Sequence, residues 1–399
     1  MDLGPIGAAQ IIVGIFFRFW PVWLSIGWVM GLSFAFRKRL GLYGQLFDSG
    51  AGILGIAICL FWLFTAIFAT IVAPLDPLAQ MSMMKNALPG SIDHGTKQVL
   101  LLGGDRLARD VFSRMIYGSR VVMAIAPCAT AFALIVGISL GLPAGYYGGR
   151  LDSILSFFAN LVLAFPVILL FYLLVTPEIR ELSFDNWLSE ATGIGVSLPR
   201  SLAAFLFLLP IIFFLTLFHT RFKHRPDCHN PLIGLTALIA GWIYAGLVFD
   251  ADPLGFVHID PNQLNIFVAV VLGSSPSVFR IVRGLTMDIK TRDYVAAAQT
   301  RGESPWYIML WEILPNARGP LIVDTCLRIG YTTILLGALG YFGLGLAPES
   351  PDWGTSIKDA SRLLRSFIHP ALPPTIALMS FVLGLNLLAD SLREQSMKD

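Results

Sequence analysis

Charge is scarce in this sequence: Asp, Glu, Lys and Arg make up 14% of its 399 residues, where soluble domains carry roughly 25%. So few charges cannot coat a soluble body of this size, which excludes an ordinary globular fold. Cysteine is scarce too. The four present (Cys59, Cys128, Cys228 and Cys326) form no C-x-x-C pair, so neither a disulfide framework nor a zinc site is indicated. No G-x-x-x-x-G-K-[ST] run occurs, which removes P-loop ATP hydrolysis from the chain's own repertoire. A membrane enzyme would need a clustered nucleophile, base or metal constellation, and none stands out. Met1 to Gln10 has no basic n-region and the apolar run after it is long, so no cleavable signal peptide is expected. The net charge of +2 gives no reason to expect nucleic acid as a partner.

What is present is apolar. The sequence is 55% hydrophobic, with a mean hydropathy of +0.71. Several stretches of 18 or more residues are almost free of charge, long enough to cross a ~30 Å hydrocarbon core. Lipid cannot satisfy backbone polar groups, so these stretches are read as helices. Candidate spans fall at about 13–35, 50–74, 120–145, 153–175, 201–218, 232–249, 264–282, 320–345 and 372–390. The predicted fold is thus an all-α polytopic membrane protein of about nine spans. Eight is the alternative, because Arg18 and Pro21 interrupt the first, which could be a short interfacial helix followed by a span. Small-xxx-small spacing at Gly27/Gly31 and at Gly137/Gly141/Gly145 would permit close helix packing.

Basic residues set the sides. Arg37, Lys38 and Arg39 follow the first span, and Arg221, Lys223 and Arg225 lie between the fifth and sixth. Arg280, Arg283, Lys290, Arg292, Arg301 and Arg318 cluster at and after the seventh. Alternating the spans puts all three groups on one side, cytoplasmic by the positive-inside rule. The N-terminus is then periplasmic and the C-terminus cytoplasmic. The loop 75–119 falls outside despite Arg106, Arg109 and Arg114, whose charges are mixed with Asp93, Asp105 and Asp110.

The most informative segment follows the seventh span. Asp293 to Thr300 reads as a short helix carrying Ala296, Ala297 and Ala298, ended by Gly302. Ser304-Pro305 restarts the chain, since proline suits a first helical turn. A second short helix runs from Trp306 to Ile313 and stops before Pro315. The product is a helix–glycine–helix knob with an alanine face that another protein can approach closely.

This segment resembles the cytoplasmic signature of the membrane subunits of type I ABC importers: EAA, three residues, glycine, then an I-x-L-P-like end. Ala297, Ala298, Gly302, Leu314 and Pro315 match at the right spacing, and Ala296 stands where the signature has glutamate. Further stretches resemble the dipeptide/oligopeptide/nickel permease family. They are Ala73-Pro-Leu-Asp-Pro77, Asp105 with Arg109-Asp110-Val-Phe-Ser-Arg114, Tyr117-Gly-Ser-Arg120, Gly145-Tyr-Tyr-Gly-Gly149, Gly343-Leu-Gly345 and Pro351-Asp-Trp-Gly354. The similarity is to the partner of the permease heterodimer that bears the GRD-type motif.

The resemblance implies a permease subunit forming half of a translocation pathway in the bacterial inner membrane. Peptides are the expected solute, with nickel, opines or oligosaccharides as alternatives. The knob would be the coupling helix, with Ala296, Ala297, Ala298, Gly302, Trp306, Leu314 and Pro315 facing or shaping the ATPase contact. Implied partners are a second homologous permease, one or two ABC ATPases, a periplasmic or lipid-anchored substrate-binding protein, and membrane lipid. ATP and Mg would sit on the ATPases; the chain itself would bind no cofactor and no metal.

The implied six-helix core takes in 50–176, with its periplasmic loop 75–119, and 264–399, with its coupling loop 283–319. Residues 1–49 and the two-span hairpin within 177–263 are extra. An even number of inserted spans leaves the coupling loop cytoplasmic.

Three more groups carry candidate chemistry. Ser274, Ser275, Pro276 and Ser277 interrupt the seventh span, and small hydroxyl side chains around a proline can line a wet path. Asp324 and Arg328 lie four apart in the eighth span, where an i,i+4 ion pair lowers the cost of intramembrane charge. His219, His224, Cys228 and His229 have metal-ligand chemistry, but their spacing fits no compact site and Arg221, Lys223 and Arg225 repel cations, so a solvated loop is expected. The competing class is a secondary transporter driven by an ion gradient. It should show inverted repeats and acidic residues at mid-membrane, and only Asp324 qualifies.

Overall fold

A computed structural model describes residues 6–81, 83–93, 97–175, 198–223, 225–249, 261–344 and 350–396. Among these, seven helices are long and apolar enough to cross a membrane. They are α3 (Gly50–Ile67), α4 (Val111–Tyr147), α7 (Leu198–Phe222), α8 (Pro226–Phe249), α9 (Pro261–Ile289), α12 (Arg318–Phe342) and α14 (Leu372–Ser396). An eighth candidate is the pair α1 (Ala8–Arg18) and α2 (Trp20–Ala35), bent by 54°. The bend falls at Phe19, between the two residues that interrupt the run, and Pro21 cannot donate back across it.

The expected span 153–175 is two shorter helices, α5 (Gly149–Ala164) and α6 (Val167–Val175). Phe165, preceding Pro166, is extended with ψ 132°, because the proline ring disfavours helical backbone at the residue before it. Helix α4 begins well before its apolar run and has 37 residues. At 1.5 Å per residue that is about 55 Å, so its ends project beyond a hydrocarbon core.

The chain divides into two compact units. One comprises Met1–Pro127 and Cys326–Asp399. Here α3 packs along α14: the Ser49 and Ser391 hydroxyls lie 2.6 Å apart, and Trp62 Nε1 donates to Ser380 Oγ at 3.0 Å. Phe19 of the α1–α2 bend is buried against Phe61 and Phe112. The segment after α3 forms a small antiparallel ribbon, β1 (Ser91–Ile92) with β2 (Val99–Leu100). It also carries a buried ion network. Arg109, 2% exposed, donates from Nε to Asp105 Oδ2 at 2.7 Å and from Nη2 to Asp359 Oδ2 at 3.0 Å. Asp359 belongs to α13 (Trp353–Ser361), whose Trp353 is buried and donates from Nε1 to Met115 O at 2.9 Å.

Burial pulls the His369 imidazole below the usual histidine pKa, and the nearby backbone of Gly104 and Ala87 offsets part of this. Below about pH 6.5 the unfolded chain takes up a proton that the folded one resists. Stability therefore falls as pH drops through the unfolded value toward the lower folded one, and is unaffected above it. The melting temperature in detergent should decline between pH 7 and pH 5, and His369→Gln should flatten that decline.

The second unit is Cys128–Thr325. In it α4 approaches α9 closely along a row of glycines. A Cβ on Gly137 would lie 2.5 Å from Val278 Cβ, one on Gly141 2.8 Å from Val282 Cβ, and one on Gly145 2.7 Å from Thr286 Cβ. This glycine face is a helix contact, as its spacing predicts. Among the described residues, a Cβ on Gly27 or Gly31 meets nothing within 4 Å. Gly137→Val should therefore cost about 1–3 kcal/mol by overpacking, read as a lower melting temperature. Gly27→Val should leave the isolated chain's melting temperature unchanged.

Candidate functional site

The helix–glycine–helix knob lies between α9 and α12. Helix α10 (Asp293–Thr300) opens with an acidic residue in its first turn, favourable at a helix N-terminus. It closes in a Schellman motif: Glu303 N donates to Ala298 O at 3.2 Å and Gly302 N to Gln299 O at 3.0 Å. The motif needs a left-handed residue, and Gly302 supplies it with φ +79°. Ser304 then caps the next helix, its Oγ accepting from Tyr307 N at 3.3 Å, with Pro305 in the first turn.

That next helix, α11 (305–316), differs from expectation. Its turns over Ile308–Ile313 are π-helical, and helical backbone continues through Leu314–Asn316 rather than stopping before Pro315. Pro315 has no N–H and in a regular α turn would press on the carbonyl of Trp311. The wider π turn just ahead of it moves that carbonyl aside.

Burial sorts the knob into two faces. Val295, Ala298, Ile308, Met309, Leu310 and Ile313 are buried together with Ile138, Leu142, Val278 and Val282 of α4 and α9. The outer face presents Ala296, Ala297, Gly302, Trp306 and Pro315, with Trp306 39% exposed and Leu314 half-buried. The alanine run therefore splits, because a helix turns about 100° per residue. Ala296 and Ala297 face outward, whereas Ala298 is 0% exposed and packs inward instead of contributing to the approachable face.

Polar contacts hold the knob's two arms to each other and to the spans. Arg301 Nη2 pairs with Glu312 Oε1 at 3.1 Å, joining α10 to α11. Lys290 Nζ donates to Gly145 O at 2.9 Å and Tyr146 O at 3.4 Å. These carbonyls end α4, where a cation is favoured. Close by, Arg283 makes a two-pronged pair with Asp152 of α5 through Nε and Nη2. Arg280 Nη2 donates to Asn160 Oδ1 at 2.5 Å. In the sequence Arg283 and Lys290 mark only topology, and nothing in the local pattern around Asp152 announces its partner.

The other candidates lie elsewhere. Helix α9 runs unbroken through Pro276 instead of being interrupted there, and Ser277 Oγ donates to Ser274 O at 3.2 Å within the turn that proline perturbs. Ser275 and Pro276 are buried, while Ser274 and Ser277 are half-buried. Of the four, only the latter two reach a partly open surface of this chain. Asp324 and Arg328 are half-buried on successive turns of α12. His219, near the end of α7, and His229, in the first turn of α8, lie on helix rather than in the expected loop, with Nδ1 and Nε2 3.0 Å apart; His224 and the Cys228 side chain lie outside the described residues. Among the described residues no group of three or more potential metal ligands gathers.

The dipeptide transport system permease protein DppC of Haemophilus influenzae is 26% identical over 364 residues, spanning 91% of this chain and 96% of that protein. The di/tripeptide permease protein DppC of Pseudomonas aeruginosa is 26% identical, with 91% and 93% covered. The glutathione permease protein GsiD of Pectobacterium atrosepticum is 26% identical, with 76% and 74% covered. The family described as binding-protein-dependent transport system inner membrane component matches residues 137–396. Those residues hold the glycine face of α4, all of α9, the whole knob and α14. With well over half of its length matched, the chain belongs to the family of binding-protein-dependent transport system inner membrane components.

Proposed function

We propose that this chain imports short peptides and that the 293–316 knob is the seat of a partner ATPase. Family membership makes it a multi-pass inner-membrane permease subunit of an ATP-binding-cassette importer, a transport component and not a catalyst. The observation that carries the docking reading is the two-faced knob. Its outer face offers small residues, Ala296, Ala297 and Gly302, flanked by Trp306 and Pro315, and its inner face is continuous with the core of α4 and α9. A push on the outer face therefore reaches the spans through packed side chains instead of being absorbed by a loose loop. Alanine at 296 leaves the ATPase without a carboxylate contact there, so docking rests on shape and on Trp306.

The peptide reading rests on the relatives: dipeptides, di- and tripeptides and glutathione share a short peptide backbone. ATP and Mg belong to the partner ATPases. A second permease completes the pathway, and Ser274 and Ser277 of α9 face it. Asp324 and Arg328 stabilise each other's charge within α12 as an anchoring pair, and a binding protein docks on the opposite side. The basic groups at 37–39, 221–225 and 280–318 support a topology with the knob and the C-terminus in the cytoplasm and the N-terminus in the periplasm. Residues 1–49 and the hairpin are additions to the six-helix permease core.

Affinity purification of the tagged chain from native membranes tests the assembly. Recovery of a second permease and one or two ATPases supports it, and recovery of the chain alone, in a detergent that preserves other importers, overturns it.

A further inference from the structure

The α7–α8 hairpin meets the knob at a polar contact. Trp311, on the π turn of α11, donates from Nε1 to Thr220 Oγ1 at 3.1 Å. The Thr220 hydroxyl donates back into its own helix, to Thr216 O at 2.8 Å. Its lone pairs are thereby turned toward the indole, which can only donate. Arg221 lies over the same ring, its Cζ 4.7 Å from the centroid, within cation–π range. Phe213 and Leu217, earlier on α7, pack against the knob's buried core. Beyond the contact, the His219–His229 approach joins the two hairpin helices at their tip.

A π turn is a rare local widening of a helix that concentrates at functional sites, and in α11 it covers Ile308–Ile313. The hairpin grips the knob at that turn. We infer that Thr220 and Arg221 are positioning residues for ATPase docking, acting through Trp311 to hold α11 and the outer face in one orientation. The inference rests on the docking reading above and makes the hairpin a brace that steadies the coupling knob from the side. Arg221 is exposed and Thr220 half-buried, so neither is required for the core to fold.

The test uses the whole importer in nanodiscs and follows the dissociation rate of the fluorescently labelled ATPase subunit that co-purifies with the chain. The melting temperature of the permease is measured in parallel. Thr220→Val combined with Arg221→Gln removes one hydrogen bond and one cation–π contact, and should speed dissociation about tenfold. The melting temperature should stay unchanged, and Thr220→Ser, which keeps the hydroxyl, should behave as wild type. An unchanged rate, or a faster rate accompanied by a proportionate loss of melting temperature, overturns the brace. Gly302→Trp serves as the control for the underlying reading. If it speeds dissociation while the Thr220/Arg221 variant does not, the brace fails and the docking site stands. If Gly302→Trp leaves the rate unchanged, the docking site itself is wrong.

Discussion

Gly302→Trp is expected to abolish most ATP-driven uptake while leaving a folded, membrane-inserted chain. A Cβ at 302 meets no atom within 4 Å among the described residues, and the residue is exposed, so a side chain there starts into open space instead of into the core. The backbone there is left-handed at φ +79°, and a non-glycine residue held so costs about 1–3 kcal/mol. That strain falls on a surface turn, whereas the bulk falls on the outer face between α10 and α11. Overpacking a fitted contact costs about 1–3 kcal/mol, and each 1.4 kcal/mol is a factor of ten. Uptake should fall about ten- to a hundredfold. Gly302→Ala separates the two effects, since it carries the backbone strain without the bulk and should retain most uptake. The measurement is uptake by proteoliposomes holding the complete importer, with gel filtration to confirm folding. Normal uptake by the tryptophan variant would remove the knob from the coupling path.

The largest effect on stability is expected at Arg109. It is 2% exposed and pairs with Asp105 and with Asp359, themselves 8% and 14% exposed. Arg109→Met takes from two nearly buried carboxylates the cation they share, leaving Asp105 with Arg114 at 3.9 Å. Breaking one side of a buried pair costs about 3–5 kcal/mol, and much of that is the charge left behind. Arg106 also reaches Asp359, at 3.3 Å, but is 34% exposed. Exposed pairs of that kind contribute at most about 1 kcal/mol, so Arg106→Met is the natural comparison. Thermal unfolding in detergent and proteolysis of the 75–110 segment should show a large shift for Arg109→Met and a small one for Arg106→Met. Equal shifts would mean that the buried network is not what holds the segment to α13.

The two sites differ in how much of them can be read without coordinates. Gly302 is legible because a helix C-cap is a local device: an alanine-rich turn followed by glycine and then Ser-Pro specifies the break within a few residues. The glycine face of α4 is legible for a similar reason, although Gly27/Gly31 has the same spacing and meets no described neighbour. Spacing reports that an approach is permitted; a partner helix has to make it. The Arg109 motif is visible in the sequence, but its partner Asp359 is 250 residues away.

Sequence alone determined the solvent of this protein, its helical class, most of its spans and the helix–glycine–helix knob. Each follows from short-range physics: apolar length against bilayer thickness, backbone hydrogen bonding in lipid, and capping chemistry. Tertiary structure decided which side of the alanine run is buried, since Ala298 turns inward only because α4 and α9 are there to receive it. It also decided that Pro276 and Pro315 sit inside helices while Pro166 separates two. The cost of a proline in a helix depends on whether neighbouring hydroxyls or a π turn can absorb the perturbed backbone groups. Trp311 stands 91 residues from Thr220, and nothing in the pattern around either residue or Arg221 links them. Only the packing of α7 against the knob brings an indole donor, a hydroxyl acceptor and a guanidinium to one place.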